Sequence, residues 1–357
     1  MKTRMQDGGA EAKTASPRRG AVRAVAGLFA AMAAGTLGGL PWPTQAQLQA
    51  QPQAASPGQG FPNRPVRLVV AFGPGSGSDI VARLLAEDLR AALGQQVIVD
   101  NKPGGSAQIA AEFVAKAPAD GYTLLLTTNT AHSANPYLFK KLGYDPMRDF
   151  TPIARVAYVP YAIVVDPKSP IDSVRALVEY ARANPGKLNY GFGNSTSQVA
   201  GAAFARQAGI ELTAVGYKSM PPAYNDLIGG QVQVVFADMA SAQVFMKSGR
   251  LKPLAFTLEK RSALMPELPT VAETPGFTGF EVTSWIGLVG PAGMPRDAVE
   301  RLSTEMQRTL AKPEIRERLA GMGVEPAPSS PQEMDRFLRQ QLESWRIKIR
   351  DAGIQPE

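Results

Sequence analysis

The chain has 357 residues, with 38 basic and 31 acidic side chains, one histidine and no cysteine. That length suits about two domains with a core that needs no staples, and the lack of cysteine rules out disulfides, thiol nucleophiles and thiolate metal sites. The formal charge of +7 sits largely at the N-terminus: the first sixty residues hold six basic and two acidic groups, leaving 32 and 29, a net +3, in the remainder.

The N-terminal segment does not read as fold. Lys2, Arg4, Lys13, Arg18, Arg19 and Arg23 form a basic start, Ala24–Leu40 an uncharged run of small and apolar residues, and Thr44-Gln45-Ala46 a small-residue cleavage pattern. This is the layout of an export signal. Arg18-Arg19 hints at a twin-arginine route, but Gly20-Ala21-Val22 fits that consensus poorly, so both Sec and Tat stay open. The apolar run is seventeen residues, short of the roughly 20 a membrane span needs. Residues 1–46 are therefore expected to be a signal peptide, 47–60 a disordered Gln/Ala/Pro/Gly tether, and the remainder a periplasmic protein. Trp42 falls in this leader.

Beyond it, strand and helix signals alternate, which predicts an α/β architecture. Val66–Phe72 is an apolar β-branched run, and Ile80, Val81, Leu84, Leu85 and Leu89 lie on one face of a helix starting near Asp79 and stopped by Gly94. A strand at Val97–Val99, a Gly-rich loop at Pro103–Ser106, a helix at Ala107–Lys116, a strand at Tyr122–Thr127 and a short helix at His132–Lys140 follow. After an extended stretch, Ile153–Val165, comes helix Ile171–Ala183, stopped by Asn184-Pro185-Gly186. The next units are strand Leu188–Gly191, helix Gln198–Gln207, strand Leu212–Val215, helix Ala223–Ile228, strand Val232–Phe236, helix Ala242–Lys247 and strand Leu251–Thr257. A second extended run, Phe280–Val289, leads to helices Arg296–Leu310, Pro313–Gly321 and Pro331–Ala352.

Two extended runs bracketing a central α/β block predict a discontinuous layout. Residues 61–155 and 281–357 form lobe one, residues 156–280 form lobe two, and two crossing strands form the hinge. The C-terminal helices are expected on lobe one. Trp345, at helical spacing with Leu338, Leu342 and Ile349, reads as core, as does Trp285 on the returning strand.

One pattern occurs twice: an apolar strand, a loop of small polar residues, and a helix. Val66–Phe72 runs into Gly73-Pro74-Gly75-Ser76-Gly77-Ser78, and Leu188–Gly191 into Gly193-Asn194-Ser195-Thr196-Ser197. Such junctions aim unpaired amides at one point, at the positive end of a helix dipole, and so suit an anion. Two of them imply two lobes gripping one acidic ligand.

At these residues the chain resembles the Bug-type solute-binding proteins of tripartite tricarboxylate transport systems. The motifs run in order: Phe61-Pro62, Asp79-Ile80-Val81-Ala82-Arg83, Val99-Asp100-Asn101-Lys102-Pro103-Gly104-Gly105, Asp120-Gly121-Tyr122-Thr123-Leu124, Asn184-Pro185-Gly186-Lys187-Leu188-Asn189-Tyr190, Asp226-Leu227-Ile228-Gly229-Gly230-Gln231 and Pro269-Thr270-Val271-Ala272-Glu273. The resemblance implies a type II-like periplasmic binding fold, two α/β lobes on a two-strand hinge with a ligand cleft between them. It implies no catalysis, a small organic acid held mainly by loop amides with ordered water, and delivery to the permease subunits of a tripartite transporter. A role in reporting ligand to a sensor kinase is the alternative binding role.

Carried over by position, the first ligand loop is Gly75, Ser76, Gly77, Ser78 and Asp79, and the second Gly193, Asn194, Ser195, Thr196 and Ser197. Thr127, Thr128 and Asn129 follow a strand ending beside the first loop, Tyr217 and Lys218 stand in a turn the family keeps, and Asp238 ends a strand at the cleft. Read without the family, Ser78 suits a helix cap, Asp79 a dipole partner for its own helix, Lys218 a solvated charge and Asp238 a cap. The departures also fall in these loops: Gly73-Pro74-Gly75-Ser76 replaces the usual Pro-Pro-Gly-Gly, Gly216 a Pro, and Ser219 a Gly.

Catalytic alternatives are thin. His132 is the only histidine and reads as a surface or capping residue, no Gly-x-Ser-x-Gly elbow occurs at a strand–helix turn, and a multi-histidine metal site is impossible. The first loop lacks the third glycine of a dinucleotide fingerprint, and Pro74 removes one amide. No cofactor, metal or nucleic-acid partner is expected, and a monomer is. A secreted α/β hydrolase or transferase is the remaining alternative.

Overall fold

The computed structural model describes residues 60–357. The expected signal peptide, Trp42 and nearly all of the tether lie outside the described residues.

The chain runs β1 (Val66–Val70), α1 (Gly77–Leu93), β2 (Val97–Asn101), α2 (Gln108–Ala115), β3 (Thr123–Thr128), α3 (Asn135–Leu138), β4 (Phe150–Val159), β5 (Tyr161–Val165), α4 (Val174–Ala183) and β6 (Asn189–Phe192). It continues through α5 (Ser195–Ala208), β7 (Thr213–Gly216), α6 (Met220–Ile228), β8 (Val234–Asp238), α7 (Met239–Lys247) and β9 (Lys252–Phe256). Then come β10 (Ser284–Pro291), α8 (Arg296–Ala311), α9 (Pro313–Gly321), β11 (Glu325–Pro326) and α10 (Pro331–Asp351).

Two sheets result. The first has the order β11-β4-β10-β3-β1-β2 and the second β7-β6-β8-β5-β9. In the first, β1 lies parallel between β2 and β3, and β10 runs antiparallel between β3 and β4. In the second, β6 is parallel to β7 and β8, while β5 is antiparallel to β8 and β9. Both faces of the central strands are covered. Leu68 and Val70 pack with Leu85 and Leu89 of α1 and Leu302 of α8, whereas Val69 faces the side that holds Ala110 and Phe337. This explains why β1 reads as an unbroken apolar run instead of an alternating one. Each such Leu-sized side chain adds roughly 1.5–3 kcal/mol on burial.

The long extended run expected over Ile153–Val165 is divided at Pro160. Proline has no N–H for a ladder, so β4 ends in the first sheet and β5 starts in the second. The return crossing lies beside it. Val282 N donates to Thr257 O at 2.9 Å in the second lobe, and one residue later Thr283 Oγ1 donates to Val159 O at 3.1 Å in the first. The chain passes between the two sheets near Pro160 and again near Thr283.

The last helix departs from expectation. The N-terminal half of α10 places Met334, Phe337 and Leu338 against the first sheet. Its C-terminal half places Trp345 and Ile349 in the core of the second lobe, with Ile163, Phe204 and Phe236. A helix of 21 residues is about 30 Å long and reaches across both sheets. Trp285 and Trp345 are both core, at 2% and 1% exposure.

Helix starts also shift. The cap of α1 is Ser76, not Ser78: its extended backbone and its hydroxyl, which accepts from Asp79 N, place the first turn two residues earlier. Asn194 caps α5 through Ser197 N, so Ser195, Thr196 and Ser197 belong to the helix instead of the loop. The short helix after β3 opens with a π-helical turn, Thr130–Ala134.

Candidate functional site

The two strand–loop–helix junctions meet. Ser76, Gly77 and Ser78 from the first lobe and Asn194 from the second line one cavity of about 30 Å³, closed on its other sides by Thr128, Thr130, Tyr161, Asp238 and Ser284 and by the apolar Phe72, Val159, Met220 and Ile286. That volume holds one or two waters. A wider groove of about 1030 Å³, lined by Tyr158, Trp285, Trp345, Lys348 and the loop 258–264, shares Ser284 with this cavity but touches none of these helix starts.

Free backbone amides stand among the side chains that line the cavity. The first N–H groups of a helix have no intrahelical partner. At α1, Ser76 N is used by Gly73 O and Asp79 N by the Ser76 hydroxyl, but Gly77 N and Ser78 N meet no acceptor among the described residues. At α5, Ser197 N is used by the Asn194 side chain and Gln198 N by Asn194 O, while Ser195 N and Thr196 N meet none. The Ser78 hydroxyl is buried without a partner as well. Both helix N-termini thus carry free amides, and those of Gly77 and Ser78 belong to residues that line the cavity.

Glycine permits the close approach. A Cβ on Gly77 would stand 2.1 Å from Asp238 Oδ1, across the lobes. One on Gly193 would stand 2.3 Å from the carbonyl carbon of Ser219, so the second loop can lie against the start of α6 only without a side chain.

A polar bridge joins the lobes beside the cavity. Asn129 Nδ2 donates to Thr196 Oγ1 at 2.8 Å and, more weakly, to Ser195 Oγ at 3.4 Å, while its Oδ1 accepts from the Ser284 hydroxyl. Ser195 Oγ in turn donates to Thr130 Oγ1 at 2.9 Å. All five side chains are buried.

Among the site residues expected from sequence, Ser76, Gly77, Ser78, Thr128, Asn194 and Asp238 line the cavity. Asn129, Ser195 and Thr196 form the bridge instead. Asp79 points back into its own lobe. It accepts from Gly75 N at 2.9 Å, Asn101 Nδ2 at 2.9 Å and Arg83 at 2.9 Å. Burial raises its pKa, but the bonds from Arg83, Gly75 and Asn101 outweigh that and leave it below the usual carboxylate value. Gly75 is occupied by this contact. Thr127 turns to His132, with Oγ1 2.7 Å from Nδ1. The Ser197 hydroxyl bonds Gly191 O at 3.4 Å. Tyr217 donates to Asp226 at 2.7 Å, and Lys218 is exposed.

His132 is not at the surface. It is fully buried, its ring 4.7 Å from that of Phe150, and burial pushes its pKa down to about 3, so it is neutral. A π-helical turn lets the chain carry it inward.

Sequence reasoning missed Tyr161 and Ser284. Each stands at a hinge crossing, the first residue of β5 and the first of β10, and no local motif marks either. Burial and the Asp238 charge push the Tyr161 phenol far above its ordinary range, against hydrogen bonds to Thr196, Asn194 and Ser284. Asp238 is raised by burial too, and bonds from Ser241 and Tyr224 only partly oppose this.

No group of three or more His, Cys, Asp or Glu side chains able to hold a metal occurs among the described residues, and none of their helices is long and apolar enough to cross a membrane.

Comparison with known proteins identifies the family. Residues 81–354 match the family model described as the tripartite tricarboxylate transporter family receptor. A UPF0065 protein of Bordetella bronchiseptica is 38% identical over 308 residues, 85% of this chain and 90% of that protein. Among solved structures, R. palustris Rpa4515 with adipate is 36% identical with a TM-score of 0.81, covering 83% of this chain and all of that one. The periplasmic binding protein BugD is 34% identical with a TM-score of 0.79, again covering 83% of this chain and all of that one. The chain therefore belongs to the Bug-type solute-binding receptors of the tripartite tricarboxylate transporter family.

Proposed function

We propose that this protein is an extracytoplasmic receptor that closes its two lobes on a small carboxylated organic acid and hands it to the membrane permease of a tripartite transporter. The observation that supports this reading most is the cavity shared by two helix N-termini from different lobes, Ser76–Ser78 of α1 and the cap Asn194 of α5, with free amides at Gly77 and Ser78. The adipate bound by Rpa4515 supports a carboxylate as the guest. The two sheets with the helices packed on each serve as the two lobes, and the crossings at Pro160 and Thr283 as the hinge. The ligand docks on one helix end, and closure brings the second.

Helix-end charge contributes about 0.3–1 kcal/mol per contact, up to about 2 when partly buried, and charge-assisted hydrogen bonds roughly 1.5–3 kcal/mol each. Several together reach micromolar affinity, about 8 kcal/mol, after the cost of closure. The role needs no catalysis, cofactor or metal, and the protein acts as a monomer in the periplasm.

Calorimetry against a panel of mono- and dicarboxylates tests the binding role. Saturable binding of one class is the expected result, and binding of none of them rejects it. Uptake of that acid by cells lacking the protein, and its recovery when the protein is supplied, tests delivery.

A further inference from the structure

Two parts of the cavity lining have opposite polarity. One is the start of α1, with the free amides of Gly77 and Ser78 and the Ser78 hydroxyl, a residue 7% exposed whose oxygen has no partner. The other is Asp238, at the end of β8, 5% exposed. Its hydrogen bonds all come from its own lobe: Ser241 N at 2.9 Å, Ser241 Oγ at 2.7 Å and the Tyr224 hydroxyl at 3.3 Å. No Lys or Arg among the described residues bonds to it. Its Oδ1 faces the other lobe, against Gly77.

Capping does not require this charge. Asn or Ser at this place would accept the Ser241 amide as well. A carboxylate buried without a cation is unfavourable, and the bonds from Ser241 and Tyr224 only partly offset its burial. It also repels a second anion at the same wall. The ligand must therefore satisfy two demands, an anionic end for the amides and a proton donor for the acid.

We propose that Asp238 is a specificity-determining residue that selects acids bearing a second, hydrogen-donating group, with the ligand's carboxylate on the helix amides and its hydroxyl or ammonium on Asp238 Oδ1. This rests on the carboxylate-receptor reading and narrows its ligand class. A plain dicarboxylate sets its second charge against Asp238, whereas a hydroxy or amino acid sets a donor there.

The test is calorimetry of the full chain with acids matched in carbon skeleton: propionate, lactate and alanine; succinate, malate and aspartate; adipate, 2-hydroxyadipate and 2-aminoadipate. In the skeleton that binds, a substituted acid is expected to bind roughly ten- to hundredfold more tightly than its parent, the value of one hydrogen bond to a charged group. The hydroxy and amino members tell which donor is used. Asp238→Asn keeps the cap of α7 and removes the charge, and it should bring that ratio to within about threefold. The melting temperature without ligand checks that the variant folds, and Asp238→Ser supplies a second uncharged cap if it does not. Equal binding of parent and substituted acids, or a preference that survives in both variants, overturns this inference and leaves the receptor reading standing. Failure of every acid in all three skeletons overturns both.

Discussion

Asn129 of the first lobe donates to Thr196 of the second at 2.8 Å while its carbonyl oxygen takes the Ser284 hydroxyl, so one buried side chain ties the hinge, the end of β3 and the start of α5 together. Asn129 has an amide donor and a carbonyl acceptor, and both are used. The bond exists only while the lobes are together.

Asn129→Ala should therefore act on closure more than on folding. The loss of its hydrogen bonds weakens the closed state by about 1–3 kcal/mol, and acid affinity should fall roughly 5- to 150-fold. Calorimetry with the best-binding acid checks this, together with small-angle scattering of the liganded protein, which should show a more open particle. Unchanged affinity would show that the bridge is incidental.

The amide cage is separable from the hydroxyls at Ser195. Asn194 is extended, with φ −161° and ψ 169°, and Ser195 is the first helical residue, so proline fits there without breaking α5. Ser195→Pro removes one free amide and the hydroxyl, whereas Ser195→Ala removes the hydroxyl alone. Proline should cost roughly tenfold more affinity than alanine at similar unfolding stability, as expected for one charge-assisted bond. Equal losses in titrations of the two variants would refute a cage of backbone donors. Ser76 does not offer this test, because its amide already serves Gly73 O.

Gly77→Ala should obstruct closure. Gly77 is buried at the start of α1, and a Cβ there would press on Asp238 Oδ1 and Ala240 of the other lobe. Affinity should fall in titrations. Combining it with Asp238→Gly should show non-additivity, since the two changes act on one contact.

His132 gives stability a pH dependence of definite sign. Its pKa is about 3 when folded against 6.5 unfolded, because burial disfavours the imidazolium. The unfolded chain binds the extra proton between those values, so stability is full above pH 6.5 and falls as the pH drops toward 3. Between pH 7 and pH 5 the loss is about 2 kcal/mol, at 1.36 kcal/mol per unit. Urea unfolding at the two pH values checks it, and the difference should shrink in His132→Asn. An equal difference in that variant would assign the effect to other groups.

Local sequence determined the layers and the anion-suited junctions. Apolar period, Gly and Pro stops and capping residues act within a few positions, so α1, β3, α8 and the paired loops were legible without coordinates. The carry-over by position set Thr127 and Asp79 at the ligand, whereas their side chains bond His132, Asn101 and Arg83, partners chosen by packing. Tyr161 and Ser284 had no local mark: they reach the cavity only because the chain crosses twice at the hinge. The division of α10 between two cores was equally hidden, since an apolar face at helical spacing does not say which sheet it meets. Short-range chemistry wrote the elements and their amide donors; long-range contact alone decided which donors face one another, and that a carboxylate stands opposite them.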